Sequence, residues 1–302
     1  MKNKMIQDLK KIKEIYDNGG NIISHLKLSA DAKNLSEMIK ISYDLQAGSY
    51  SRKAELNPEF EEERAITYSQ IINGLGEFNS ILEVGIGEAT SFSYLIPKLR
   101  NKNIQSFGFD ISYSRIQYGN KFLKKTNLGN KLLFTGSYFD CPIQDSAIDI
   151  VYTVHSLEPN GGQEKKMLEE LFRITSKYLV LFEPIYELSS EKSKSHMDNH
   201  GYVRNLYSTA IQLGYKVKEY KLIFEENCFG DNSTGVIIID KTDSASNDSN
   251  NLNPLACPIT KEPLELIKNN YYCQNSMLLY PVVNLIPCLL PENAIIATHY
   301  LD

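Results

Sequence analysis

A buried apolar strand that runs straight into a glycine turn constrains this chain more than any other feature. Ser80-Ile-Leu-Glu-Val84 leads into Gly85-Ile-Gly87, and a helical pattern follows from Phe92 to Leu99. Glycines at 85 and 87 let the backbone reverse tightly and approach a ligand with no Cβ in the way. A strand, turn and helix of this kind belongs in an alternating array, and the sequence supplies one. Strands are predicted at Ile81–Val84, Ser106–Phe109, Lys131–Phe134, Asp149–Thr153, Tyr178–Phe182, Tyr215–Ile223 and Gly235–Ile239. Helical patterns lie between most of them, at Phe92–Leu99, Ser112–Lys125, Gln163–Ser176 and Tyr202–Leu213. Such alternation predicts βαβ crossovers and an α/β, Rossmann-like, mainly parallel seven-stranded sheet covered on both faces. The last two strands have no helix between them, which predicts one antiparallel hairpin at the sheet edge.

The array occupies residues 80–241. Residues 1–79 read as an N-terminal helical cap, with helices around Ile6–Ile15, Ala30–Ile41 and Phe60–Leu75 and a less regular stretch from Ser42 to Pro58. Residues 242–253 are almost wholly small and polar and read as a flexible linker. Residues 254–302 form a small, β-rich tail, too short for a large core of its own.

The glycine turn suggests a nucleotide. Asp110 ends the second predicted strand, where a carboxylate can accept both ribose hydroxyl protons. A dinucleotide fingerprint has a third glycine where this chain has Thr90, and here an acid, Glu83, stands at the strand end. S-adenosylmethionine carries no phosphate, and its ammonium and sulfonium suit an acid near the loop. That favours S-adenosylmethionine over NAD, which stays as the alternative, as does a turn that binds nothing.

Several blocks in order resemble the class I S-adenosylmethionine-dependent methyltransferases over residues 40–240. They are Ile81-Leu-Glu-Val-Gly-Ile-Gly87, Gly108-Phe-Asp-Ile111, Gly136-Ser-Tyr-Phe-Asp-Cys-Pro142, Ala147-Ile-Asp-Ile-Val-Tyr152 and Leu157-Glu158. The resemblance implies that Asp110 holds the ribose, that Ser137 and Tyr138 meet the adenine, and that Thr153 and Val154 line the methionine end. The family usually has Asp where Ser137 stands. The segment Ser42-Tyr43-Asp-Leu-Gln-Ala-Gly-Ser-Tyr50 resembles the part that caps the cofactor, so Tyr43 and Tyr50 are expected to close the site or to pack the cap helices.

A sulfonium methyl is already activated, so the protein's task is alignment in a dry site, with a base only for a protonated acceptor. Candidates beyond the carboxyl ends of the strands are His155, Glu158, Glu183, His196, Asp198, His200 and Tyr202. His196-Met-Asp198-Asn-His200, read as extended, would set three side chains on one face, as an acid–base cluster, a metal site or a plain solvated loop. His200 is the first expectation for the base and His155 the second; no metal is expected.

The tail resembles a second family, the small zinc-ribbon-like activator subunit of tRNA methyltransferases. Leu255-Ala-Cys-Pro-Ile-Thr-Lys-Glu-Pro-Leu264 and Tyr280-Pro-Val-Val-Asn-Leu-Ile-Pro-Cys-Leu-Leu-Pro-Glu-Asn-Ala294 carry the likeness. Zinc-binding members present two Cys-x-x-Cys pairs. Here Thr260 and Ser276 follow Cys257 and Cys273 at that spacing, so hydrophobic packing without zinc is expected. The resemblance implies that the tail packs on its own catalytic part or on a dimer mate, giving a homodimer through or beside the C-terminal domain.

Charge narrows the acceptor. Lys plus Arg number 32 against 37 Asp plus Glu, a formal charge of -5, with none of the basic excess that phosphate backbones attract. A small molecule such as a sugar, sugar nucleotide or secondary metabolite is therefore expected as the O-methylated acceptor, with no nucleic acid and no membrane. Methylation of tRNA or protein, or a non-catalytic S-adenosylmethionine-binding scaffold, are the alternatives. Five cysteines without a dense framework, and an N-terminus with no apolar leader core, fit a cytoplasmic protein.

Overall fold

The computed structural model describes residues 8–19, 35–225, 233–244 and 253–302. Seven strands form one sheet: β1 (Ser80–Val84), β2 (Gln105–Asp110), β3 (Leu132–Thr135), β4 (Ile148–Val154), β5 (Thr175–Glu183), β6 (Lys216–Phe224) and β7 (Thr234–Asp240). Their spatial order is β3-β2-β1-β4-β5-β7-β6. The first five are parallel, and β7 runs antiparallel between β5 and β6. The expected hairpin therefore exists, with its second strand tucked inward and β6 left at the edge.

Strand periodicity sorts the apolar residues into two cores, because successive side chains point to opposite faces. Ile81, Ile150, Tyr152, Val180, Phe182, Val236 and Ile238 face one side. Leu82, Val84, Val151, Leu179, Leu181, Ile237 and Ile239 face the other. The α-helices among the described residues, in chain order, are α1 (Leu9–Asp17), α2 (Leu35–Leu45), α3 (Ser49–Leu56), α4 (Pro58–Asn73), α5 (Thr90–Leu95), α6 (Tyr113–Lys125), α7 (Glu164–Ile174), α8 (Glu191–His200) and α9 (Leu206–Gln212). Helices α4, α5 and α6 cover the first core through Tyr68, Ile72, Phe92 and Ile116. Helices α7 and α9 cover the second through Leu168, Leu171, Leu206 and Ala210.

Two expectations need correction. The stretch from Ser42 to Pro58 is not irregular: it holds α3, whose first amides are taken by a distant carboxylate described below. Residues 191–200 are a helix, not an extended strand, with Ser190 Oγ accepting the Ser193 N–H at its start and Gly201 left-handed at its end. His196 and His200, four apart, share a face, and Asp198 does not. The expected linker falls mainly on 245–252, outside the described residues.

Residues 253–302 add a four-stranded sheet in the order β13-β10-β9-β8, from β8 (Glu265–Ile267), β9 (Asn270–Cys273), β10 (Leu278–Tyr280) and β13 (Ile295–Ile296), and a two-stranded ribbon of β11 (Val282–Val283) and β12 (Ile286–Pro287). Their core is continuous with that of the large sheet: Leu255, Leu264, Tyr271, Tyr280 and Leu289 pack in the same cluster as Leu82, Val84 and Phe109. The Leu289 N–H donates to the Thr135 carbonyl at the end of β3 at 3.1 Å, and the Ala256 N–H to the Pro142 carbonyl at 3.0 Å. Lys261 pairs with Glu170 at 3.1 Å. The tail thus lies against its own chain, on the β3 side of the sheet.

Where the resemblance places zinc ligands, Cys257 Sγ meets the Tyr280 hydroxyl at 3.2 Å and the Thr260 N–H at 3.4 Å. Among the described residues no cluster of three or more His, Cys, Asp or Glu could hold a metal. Nor is any described helix long and apolar enough to cross a membrane.

Candidate functional site

The sheet order reverses at β1, which has β2 on one side and β4 on the other. In such sheets ligands bind beyond the carboxyl ends of the strands at that switch point. A cavity of about 350 Å³ opens there.

Its floor is the glycine turn. Gly85 and Gly87 both have positive φ, at 69° and 56°. A Cβ at Gly85 would come within 2.4 Å of the Ser156 side chain, so the first glycine is required by packing as well as by backbone conformation. The Gly87 N–H donates to Asp110 Oδ2 at 3.0 Å, and the Ser112 N–H to Oδ1 at 2.8 Å. Asp110 is 6% exposed and lines the cavity. Burial raises its pKa, while Arg115 and the two amides pull the other way. Each oxygen keeps a further lone pair for a ligand hydroxyl.

Glu83 lines the cavity from the end of β1 and accepts the Tyr152 hydroxyl at 2.6 Å. Burial pushes its pKa up to about 8, against that hydrogen bond and the nearby charge of Arg64. Burial thus opposes the negative charge expected from the sequence. Thr90, Ser137, Tyr138 and Val154 all line the cavity. Ser137 Oγ accepts the Phe139 N–H at 3.1 Å, and the Tyr138 hydroxyl accepts from Asn160. Thr153 is fully buried and does not line the cavity, a correction that follows from strand alternation, since the neighbouring Val154, on the opposite face, borders it instead.

Over the turn lies a roof that the sequence reading only partly anticipated. Tyr43 on α2 and Tyr50 on α3 line the cavity and flank Arg115, at 4.6 and 4.4 Å from guanidinium carbon to ring centre. Two carboxylates fix them there. Asp44 accepts from the Ser112 hydroxyl at 2.7 Å and from the N–H and hydroxyl of Ser114 at 3.0 and 2.9 Å. Glu88, directly after the glycine turn, accepts the N–H groups of Gly48, Tyr50 and Ser51 at 3.0, 3.3 and 2.7 Å. The separations of 37 to 70 residues along the chain hid both contacts from the sequence.

The far end holds titratable groups. His155, with φ of 49°, closes β4. Its Nδ1 lies 2.5 Å from Glu158 Oε1 and its Nε2 2.7 Å from the Thr234 hydroxyl. Both His155 and Glu158 line the cavity, as does Tyr202. Glu183 acts from below: it accepts the Ser156 and Leu157 N–H groups at 3.0 and 3.3 Å and so holds the His155–Glu158 turn. Burial raises the Glu183 pKa to about 8. His200 stands on the exposed end of α8, bonded to the His196 carbonyl at 2.8 Å. It does not line the cavity, and its ring reaches it only through Tyr202, 5.4 Å away between centres.

The residues fit an adenosyl ligand. The acid at Asp110 keeps lone pairs for a diol beside the glycine turn, on the wall of the cavity.

No family model matches the sequence. A Bacillus subtilis (strain 168) protein named "Putative methyltransferase YrhH" is 26% identical over 121 residues, 40% of this chain and 65% of that protein. A chain of the "Complex between the Haloferax volcanii Trm112 methyltransferase activator and the putative methyltransferase" superposes with a TM-score of 0.50 at 15% identity, over 66% of this chain and 97% of that one. A SAM-dependent methyltransferase from Aquifex aeolicus gives 0.49 at 17% identity, over 63% of this chain and 96% of that one. The chain has the Rossmann-like fold of class I methyltransferases.

Proposed function

We propose that this chain is an S-adenosylmethionine-dependent methyltransferase that O-methylates a small molecule. The observation that carries the reading is the joined unit of Gly87 and Asp110, at 3.0 Å, beneath a cavity at the switch point of a methyltransferase-like sheet. The likeness in sequence to YrhH, though it spans under two thirds of that protein, points the same way.

S-adenosylmethionine supplies a methyl group on a positively charged sulfur. Asp110 would hold the ribose diol, Ser137 and Tyr138 would border the adenine, and Val154 and Gly85 would border the sulfur end. Tyr43 and Tyr50 exclude water from above. At the acceptor end the Glu158 carboxylate, positioned by His155 Nδ1, would receive the hydroxyl proton as the new carbon–oxygen bond replaces the carbon–sulfur bond, since His155 Nε2 is already engaged by the Thr234 hydroxyl. Glu158 and the Thr234 hydroxyl together fix the imidazole, one at each ring nitrogen. His155, rather than His200, is thus the histidine beside the acceptor end, as a positioning residue.

Residues 253–302 would support the catalytic part in cis, much as a separate activator accompanies the methyltransferase in the Haloferax complex. What supports this is the Leu289–Thr135 and Ala256–Pro142 backbone pairing and the shared core. We place the protein in the cytoplasm on the strength of the four buried thiols among the described residues, Cys141, Cys257, Cys273 and Cys288.

Calorimetric titration of the full chain with S-adenosylmethionine, S-adenosylhomocysteine and NAD tests the cofactor. Heat with the first two and none with NAD is expected; the reverse would refute the reading. Incubation with S-adenosylmethionine and fractionated metabolites should yield S-adenosylhomocysteine, and a His155→Gln enzyme should lose at least about tenfold in turnover.

A further inference from the structure

Glu88 belongs to two parts of the molecule at once. It directly follows the glycine turn and lines the cavity, yet its carboxylate accepts the N–H groups of Gly48, Tyr50 and Ser51, 37 to 40 residues earlier in the chain. At 2% exposed it is a fixed group rather than a solvated one. The start of α3 has no side-chain cap, because Gly48, left-handed with φ of 95°, stands where Ser or Asp would supply an acceptor. A local acceptor would not fit there either: a Cβ at residue 48 would come within 2.8 Å of the Tyr118 ring. The first amides of α3 therefore depend on the residue next to the glycine turn.

The backbone at that residue is clamped as well. A Cβ at Gly119 of α6 would lie 3.2 Å from the Glu88 carbonyl carbon, so helix and turn are in close contact. Ala89 keeps a left-handed φ of 58° although it is fully buried and carries a Cβ, a conformation that its surroundings must impose. The contacts then close a circuit. It runs from the Glu88 carboxylate to the Tyr50 amide at 3.3 Å, and from the Tyr50 ring to the Arg115 guanidinium at 4.4 Å. It returns from Arg115 Nη1 to Gly87, where a Cβ would sit 3.3 Å away. The Gly87 N–H joins the circuit to Asp110 at 3.0 Å.

We propose that Glu88 is a positioning residue that ties docking of the roof to occupancy of the cofactor site. By capping α3 it holds Tyr50 over the ligand, and the ligand, by fixing the glycine turn, holds the cap. The inference rests on the cofactor reading above. Coupling of this kind is reciprocal, so each partner should report on the other.

Amide hydrogen exchange of the full chain, read at Tyr50 and Ser51 with α9 as reference, and the binding kinetics of S-adenosylhomocysteine test the proposal. Bound ligand should slow exchange at Tyr50 and Ser51 in the wild type and leave α9, on the opposite face of the sheet, unchanged. The amide of E88Q keeps one acceptor oxygen and sets an NH2 against N–H donors, so residues 50 and 51 should exchange faster and respond little to ligand. S-adenosylhomocysteine should leave E88Q at least about tenfold faster, with an association rate within about threefold of the wild type, because holding the ligand is impaired and meeting it is not. E88D, which keeps both oxygens, should recover part of the slow dissociation, and circular dichroism reports the fold of each variant. A folded E88Q with wild-type dissociation overturns the proposal. So does ligand that binds the wild type and leaves exchange at 50 and 51 unchanged, a result that decides even where E88Q does not fold. If the wild type binds no S-adenosylhomocysteine, the cofactor reading fails and takes this inference with it; binding without the change in exchange sinks the inference alone.

Discussion

The amide of Gly87 donates to Oδ2 of Asp110 across 23 residues of chain, so the glycine turn and the acid that ends β2 are one structural unit. The acid holds the turn in place and, with its remaining lone pairs, faces the cavity.

Replacing Asp110 should therefore remove ligand binding more than it removes fold. Two hydrogen bonds to a charged acceptor are worth about 1.5–3 kcal/mol each, so Asp110→Ala should weaken S-adenosylhomocysteine about a hundredfold or more. Asp110→Asn keeps one acceptor oxygen and should fall between the two. Calorimetry on folded variants checks this; wild-type affinity in Asp110→Ala would show that the ribose is held elsewhere.

Both halves of that unit were legible, because a glycine turn after an apolar strand and an acid after the next are local signals. The roof was not. Glu88 reads as a surface charge until α3 is found with its first amides on the carboxylate, and Arg115 reads as one more polar helix residue. Their roles depend on contacts between distant segments, which one sequence does not encode as a pattern. The helix at 191–200 is a different case. Ser190, Glu191 and Gly201 are ordinary helix start and stop signals, and the histidine spacing drew attention away from them.

Stability should fall with rising pH through a titration owed to Glu83. Its folded pKa, near 8, exceeds the value of 4.5 expected for an exposed chain. The folded state then binds more protons than the unfolded state across that interval, so the stabilising contribution is complete below about pH 4.5 and is lost as the pH rises through 8. Glu183 acts in the same direction. Glu83→Gln, which keeps a neutral side chain of the same shape, should flatten the fall in Tm between pH 6 and 9 by a few degrees. An unchanged slope in thermal melts would contradict the buried, protonated carboxyl.

The tail should fold without metal. Cys257 and Cys273 are accompanied only by hydroxyls, Thr260 and Ser276, where two further sulfur ligands would complete a tetrahedron. The Tyr280 hydroxyl already engages Cys257. Metal analysis of the purified chain should show far less than one zinc per molecule, and a chelator should leave Tm unchanged. Stoichiometric zinc lost in Cys257→Ala would reverse this.

Leu289 tests whether the tail and the large sheet melt as one body. Its side chain is fully buried in the cluster that includes Leu82, Val84 and Phe109, while its amide pairs with Thr135 on the edge of the sheet. Truncation to Ala leaves the amide in place and opens a cavity, at a cost of about 2–5 kcal/mol. Because the core is shared, that cost should fall on the whole molecule. Scanning calorimetry should show a single transition in the wild type and a single, lower one in Leu289→Ala. If a small early transition separated from an unshifted main one, residues 253–302 would be an appendage, and the β3 edge would stand without them.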